Sequence, residues 1–136
     1  MCSSDLERSR EKPTVVIMHH PPFMTGIDHM DAIGLAGRDA LAAIIGDHPQ
    51  VERVLCGHLH RPIQTRFAGT LASTCPSPAH QVALDLEPDG PSAFVMEPPG
   101  YQLHLWNEPS GMVSHTVAIG DYAGPFPFFA GGKLID

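Results

Sequence analysis

The sequence predicts an α/β chain: one βαβ unit followed by a mostly antiparallel, β-rich segment. Three observations point there. Two short apolar runs, Thr14–Met18 and Val51–Cys56, flank an alanine-rich stretch with helical spacing. Thirteen glycines and 14 prolines forecast many turns and few long helices. Beyond His60 the texture changes to short apolar runs separated by turn residues.

Taken in order, residues 1–12 are polar and charged and read as a frayed or non-native start, or as a surface helix. Thr14–Met18 is a continuous, β-branched-rich run, the pattern of a strand buried on both faces. It ends at once in His19-His20-Pro21-Pro22, where two prolines forbid further helix or ladder and hold both histidines at the strand's carboxyl end. Leu41, Ile44 and Ile45 recur at helical spacing among alanines, so a helix is expected over 37–46, with Gly46 and Pro49 as its stop. Val51–Cys56 then runs into Gly57-His58-Leu59-His60. Strand, helix, strand in this span makes a βαβ unit, so the two strands should be parallel. Both histidine segments would then leave the same carboxyl edge, where open α/β sheets place their ligands.

After His60, strands are expected over 63–68, 70–74, 81–86, 92–97, 101–107 and 112–119, with clear turns at Asp89-Gly90 and Pro109-Ser110-Gly111. The aromatic, proline-broken tail at 122–129 is expected to pack as an extended segment.

Composition narrows the function. Eight basic against 15 acidic residues give a net charge of −7, which argues against a nucleic-acid polymer or an anionic membrane as partner. No apolar run reaches the roughly 18 residues of a membrane span. Cys2, Cys56 and Cys75 are odd in number and lack a paired spacing, and the first dozen residues lack the apolar centre of a secretory signal. Both observations suggest reduced thiols in the cytoplasm.

The nine histidines carry the chemistry. His58 and His60 are one residue apart on a loop opened by Gly57. On an extended backbone their side chains diverge, serving two adjacent metals or two corners of one site. Three imidazoles gathered at a sheet edge are costly to bury unless a cation or hydrogen bonds compensate. His20 is read as a packed residue or a support behind the ligands, and not as a ligand, because its side chain should point opposite to that of His19. His29 reads as solvated or as bordering a substrate pocket, His48 as a surface cap, and His104 and His115 as structural strand residues. Arg61 could grip a phosphate oxygen or lie on the surface.

Val16-Ile17-Met18-His19-His20-Pro21-Pro22 and Cys56-Gly57-His58-Leu59-His60-Arg61 together resemble the calcineurin-like metallophosphoesterases. The nearest branch is that of the class III cyclic-nucleotide phosphodiesterases and bacterial glycerophosphodiesterases. Ser73-Thr74-Cys75-Pro76 leading to His80-Gln81-Val82, and Asp121-Tyr122-Ala123-Gly124-Pro125, extend the likeness over about residues 13–129. The resemblance implies hydrolysis of a small phosphodiester, a cyclic nucleotide or a glycerophosphodiester, at a centre of two divalent transition ions, Fe, Mn or Zn. It implies that His19 and His58 bind one metal and His60 the other, with His80 beside the substrate phosphate. Two metals roughly 3.5–4 Å apart polarise a phosphoryl group and activate water for in-line attack.

The family also uses an Asp-x-His, a Gly-Asp and a Gly-Asn-His, all before the His-His-Pro-Pro segment, and none of them stands among the residues that precede that segment here. The resemblance therefore implies the C-terminal half of an α/β/β/α sandwich over 13–136, inactive by itself, with 63–119 serving as a cap or a dimerisation region. A homo-oligomer stays open on that ground. The competing reading is a small β-rich domain that binds a metal ion or a partner and catalyses nothing.

Overall fold

The computed structural model describes residues 2–135. The first element, α1 (Cys2–Arg8), is a short helix whose Leu6 is buried in the main core. Of the two readings of the start, the described part takes the surface helix. Strand β1 (Thr14–Met18) follows, then a single turn α2 (Asp28–Asp31) and the helix α3 (Arg38–Gly46). Gly37 caps α3 at φ 78°, a left-handed conformation that glycine adopts without penalty.

Strand β2 (Val51–Cys56) pairs in parallel with β1, with Val16 opposite Val54 and Met18 opposite Cys56. The expected βαβ unit is therefore present. Next come β3 (Gln64–Phe67) and β4 (Thr70–Thr74), joined by a tight turn through Ala68 and Gly69. β4 pairs in parallel with β2 and antiparallel with β3, giving a four-stranded sheet in the order β1-β2-β4-β3.

Alternation decides the faces. Val16 and Met18 of β1 and Val51, Val54 and Cys56 of β2 join Ala72, Leu41, Ile44, Ile45 and Leu6 in one apolar cluster, so α3 and α1 cover one side of the sheet. Fully burying a Val, Leu or Ile side chain contributes roughly 1.5–3 kcal/mol, which makes this cluster the main source of cohesion. His48, expected as a surface cap, is buried instead: its Nδ1 lies 2.6 Å from the Ile44 carbonyl oxygen at the end of α3. It does cap the helix, from inside. Gln50 donates to the Leu6 carbonyl at 2.8 Å and fastens α1 to the same corner.

Two of the remaining strands shrink. Where 81–86 and 92–97 were expected, only β5 (Gln81–Val82) and β6 (Phe94–Val95) pair, because Pro88, Pro91 and the Asp89 turn interrupt the ladder. The hairpin β7 (Gly100–Asn107) and β8 (Gly111–Ala118) is regular, with His104 opposite Ser114. It docks on β2 through polar contacts. Arg53 donates to the Ser114 hydroxyl at 2.8 Å and to the Met112 carbonyl at 3.2 Å, and the Trp106 indole donates to Glu52 at 3.3 Å. A register shift that passes over Glu52, between Thr14↔Val51 and Val15↔Arg53, lets both side chains reach the hairpin.

The tail does not pack. β9 (Phe129–Ala130) and β10 (Lys133–Leu134) form a small hairpin, and Tyr122, Phe126, Phe128 and Phe129 are all exposed. Aromatic composition supplied apolar surface there, but no neighbour to cover it. Among the described residues no helix is long and apolar enough to cross a membrane.

Candidate metal centre

Three parallel strands, β1, β2 and β4, end side by side. The Gly57 amide donates to the His19 carbonyl at 3.0 Å and the Cys75 amide to the Cys56 carbonyl at 3.1 Å, which carries the ladder one step past the strands. The segments carrying His19, His20, His58 and His60 therefore emerge at one carboxyl edge. Beyond β1, Pro21 and Pro22 are buried and turn the chain away, so His19 and His20 leave the strand without the alternation of an extended backbone. A side chain at Gly57 would stand 3.5 Å from the His19 Nδ1; glycine leaves that approach open.

The loop after β2 is unusual. His58 and His60 have φ angles of 68° and 55°, left-handed values that side chains other than glycine adopt at a cost of about 1–3 kcal/mol each. Between them Leu59 is 1% exposed and packs with Ile27 and Val82 in a second small core. Its amide donates to the Gly57 carbonyl at 2.8 Å. Leu59 is the anchor, and its burial holds the flanking histidines in strained conformations. Such strain gathers at functional sites.

The rings form two groups. His19, His20 and His58 each present a nitrogen within 4.8 Å of the other two, with ring centroids 4.9 Å (His19–His20), 5.2 Å (His19–His58) and 4.3 Å (His20–His58) apart. His60 stands outside this trio and faces His80, centroid to centroid 4.8 Å, while His80 also touches Phe94 at 4.9 Å. The segment carrying His80 is laced to the same loop: the Ser77 amide donates to the His60 carbonyl at 3.1 Å, and Gln81 donates to the Ser77 carbonyl at 3.0 Å. The edge thus brings His19 and His58 together with His20 and sets His60 beside His80.

Two expectations need correction. The His20 side chain was expected to point away from His19 on an alternation argument; the proline turn breaks that alternation and brings it against both His19 and His58. The signal available in the sequence was the His-His dipeptide directly before two prolines. Arg61, read as a phosphate ligand or a surface residue, is not a free surface residue. It donates to the Val82 carbonyl at 2.8 Å and pairs with Glu97 at 2.9 Å, with its side chain 12% exposed.

The other histidines lie elsewhere. His29 helps line a concavity of about 590 Å³ with Met24, Asp28, Asp31 and Asp89, and none of the clustered histidines lines it. The carboxylates there are already engaged: Asp31 accepts from the amides of Thr25 and Gly26, and Asp28 from that of Asp89. His104 bonds Ser114 across the hairpin at 2.7 Å, and His115 is exposed on β8.

The residues fit a transition-metal centre on two grounds. His58 Nε2 and His60 Nδ1 are buried without a hydrogen-bond partner, although a buried polar atom ordinarily has one. Burial, reinforced by His20, His19 and His60, pushes the His58 pKa below its ordinary 6.5 and favours the neutral ring, the form that donates a lone pair. The trio itself contains no carboxylate. Cys56, one residue before Gly57, is no competing ligand: burial pushes its thiol up to about 12.

No family model matches the chain. It is similar to a probable glycerophosphodiester phosphodiesterase of Arcobacter nitrofigilis, 45% identical over 133 residues, which span 96% of this chain and 49% of the relative. A probable cyclic nucleotide phosphodiesterase of Rhodopseudomonas palustris is 37% identical over 88% of this chain and 43% of its own length. A glycerophosphodiester phosphodiesterase of Enterobacter lignolyticus is 32% identical over 90% and 44%. The chain spans about half the length or less of the curated relatives it matches, and those relatives are named phosphodiesterases.

Proposed function

We propose that the chain is the C-terminal half of a metal-dependent phosphodiesterase acting on a small phosphodiester. The observation that carries this reading is the meeting of the His-His-Pro-Pro and Gly-His-Leu-His segments at one sheet edge, with orphaned nitrogens on His58 and His60. The similarity to phosphodiesterases named for glycerophosphodiesters and for cyclic nucleotides supports the substrate class. A reducing, cytoplasmic setting suits the free thiols of Cys56 and Cys75.

In this reading His19 and His58 hold one ion and His60 its neighbour. Divalent transition ions bound there supply Lewis-acid polarisation of the phosphoryl group and lower the pKa of water. The residues of this chain position. Leu59 locks the histidine loop from beneath, Pro21 and Pro22 fix the entry of His19, and His80, beside His60, is placed to donate to a phosphate oxygen. Arg61 acts at a distance, because its bond to the Val82 carbonyl and its pair with Glu97 tie the histidine loop to β5 and to the segment before β7.

Ligand count sets the limit on the chain alone. A two-metal site needs a carboxylate that holds the ions together, and the trio offers only imidazoles. The test is a chimera in which this chain replaces the matched 133 residues of the Arcobacter relative. With manganese or zinc, the chimera should hydrolyse bis(p-nitrophenyl) phosphate and lose that activity on His58→Ala, while the 136-residue chain shows none. Metal-dependent turnover by the chain alone, abolished by His58→Ala, would overturn the half-enzyme reading. Turnover in the chimera that survives both His19→Ala and His58→Ala would overturn the assignment of the centre.

A further inference from the structure

We propose that the chain by itself binds one divalent transition-metal ion through three imidazoles, His19, His20 and His58. The inference rests on the reading above for His19 and His58. It goes beyond that reading in making His20 a ligand and in setting the stoichiometry at one.

The geometry favours capture. Nitrogens bound to a tetrahedral ion at about 2.0–2.1 Å stand roughly 3.3 Å from one another. The three rings already offer nitrogens within 4.8 Å of each other, so the widest pair has to close by no more than about 1.5 Å, a movement within the reach of side-chain rotation. The rings meet edge to face or tilted, at 84°, 65° and 43°, and not in parallel stacks, so their in-plane lone pairs can point to a common centre. His58 Nε2 is buried without a partner, whereas His104 spends a ring nitrogen on a hydrogen bond.

The backbone keeps the three rings together without an ion. His19 and His20 sit between the last residue of β1 and two buried prolines. His58 is fixed by its left-handed φ and by the buried Leu59. A preorganised trio loses little conformational freedom on binding. The outer side stays open because His19 is exposed, which gives three protein ligands and a solvent position. Imidazole suits zinc, cobalt and nickel. His60 is turned towards His80, outside the trio, and so adds no ligand to this ion.

The test is titration of the 136-residue chain with cobalt(II), followed by visible d–d absorption, and with zinc, followed by calorimetry. One equivalent should bind, with the intense absorption of a four-coordinate cobalt ion. His20→Ala should weaken binding as much as His19→Ala and His58→Ala do, beyond the roughly 10–100-fold that loss of an outer partner of a metal ligand costs. His115→Ala, on an exposed strand position, should bind like the parent. His20→Gln, which keeps the bulk of the ring site, separates loss of a ligand from loss of fold, and it too should weaken binding. Parent-like affinity in both His20 variants, with loss in His19→Ala and His58→Ala, would overturn this proposal and leave the reading above standing. Indifference of all three positions, or no binding by the chain, would overturn this proposal, while the half-enzyme reading stands or falls with the chimera. Binding of a second equivalent would overturn the single-ion site.

Discussion

His104 shows how a histidine can be strongly constrained and still belong to the scaffold. Its Nδ1 bonds the Ser114 hydroxyl at 2.7 Å, and Arg53 donates to that same oxygen at 2.8 Å. Burial first, and then the Arg53 charge, hold its pKa below the ordinary 6.5. The folded state therefore resists a proton that the unfolded chain accepts, so this stabilising contribution is full above pH 6.5 and is lost as pH falls through the lowered pKa. Urea unfolding midpoints should fall on acidification below 6.5, and His104→Gln, which keeps a polar group without the titration, should flatten that fall. His58 shifts in the same direction, so the slope should shrink without vanishing. A variant whose midpoint tracks the parent at every pH would show that His104 makes no such contribution.

At the scale of elements, the hairpin β7–β8 and the histidine edge are mechanically linked. The Gly100 amide, at the root of β7, donates to the Ser77 carbonyl at 3.0 Å, in the segment that leads to His80. A side chain at Gly100 would stand 2.9 Å from the Val117 carbonyl and 3.1 Å from Pro76, so backbone would have to move. Gly100→Ala should cost about 1–3 kcal/mol, the range for overpacking, and should displace the 77–81 segment. Fluorescence of Trp106, the single tryptophan, reads hairpin undocking in urea, and the His80 ring signals in an NMR spectrum read the displacement. Unchanged values of both would break the link. The same elements show what the sequence made legible. The βαβ unit was readable because a β-branched-rich run, an alanine-rich helix and two abrupt stops agree on one topology. The convergence of His19 with His58 followed from that topology. The approach of His20 to both did not, because it depends on how two prolines turn the chain after the strand, and periodicity carries no information about that turn. Likewise β5 and β6 were overdrawn, since apolar residues beside prolines do not reveal how many rungs the ladder keeps.

Across the whole molecule, the sheet has one covered face and one that is only partly covered. Val16 and Met18 of β1 pack on the cluster beneath α3, so Ile17 points to the other side, where it is 78% exposed. The hairpin reaches β2 but leaves this strip free, and β1 has no hydrogen-bonded neighbour on its outer side among the described strands. An open strand edge beside exposed apolar side chains is a template for pairing with another chain. The outer face of the hairpin adds Leu103 and Leu105, about half exposed at 49% and 51%. The chain should therefore self-associate as its concentration rises. Ile17→Lys places a charge on the uncovered strip without touching the helix-side core, so it should shift the sedimentation profile towards monomer and raise the onset of thermal aggregation. Its effect on stability should stay within about 0.5 kcal/mol, as for other surface changes away from special features. Leu103→Lys, on the outer face of the hairpin, separates the two surfaces. If only that variant disperses the chain, association runs through the hairpin and the edge of β1 is harmless; if neither does, exposed apolar area is not what drives it.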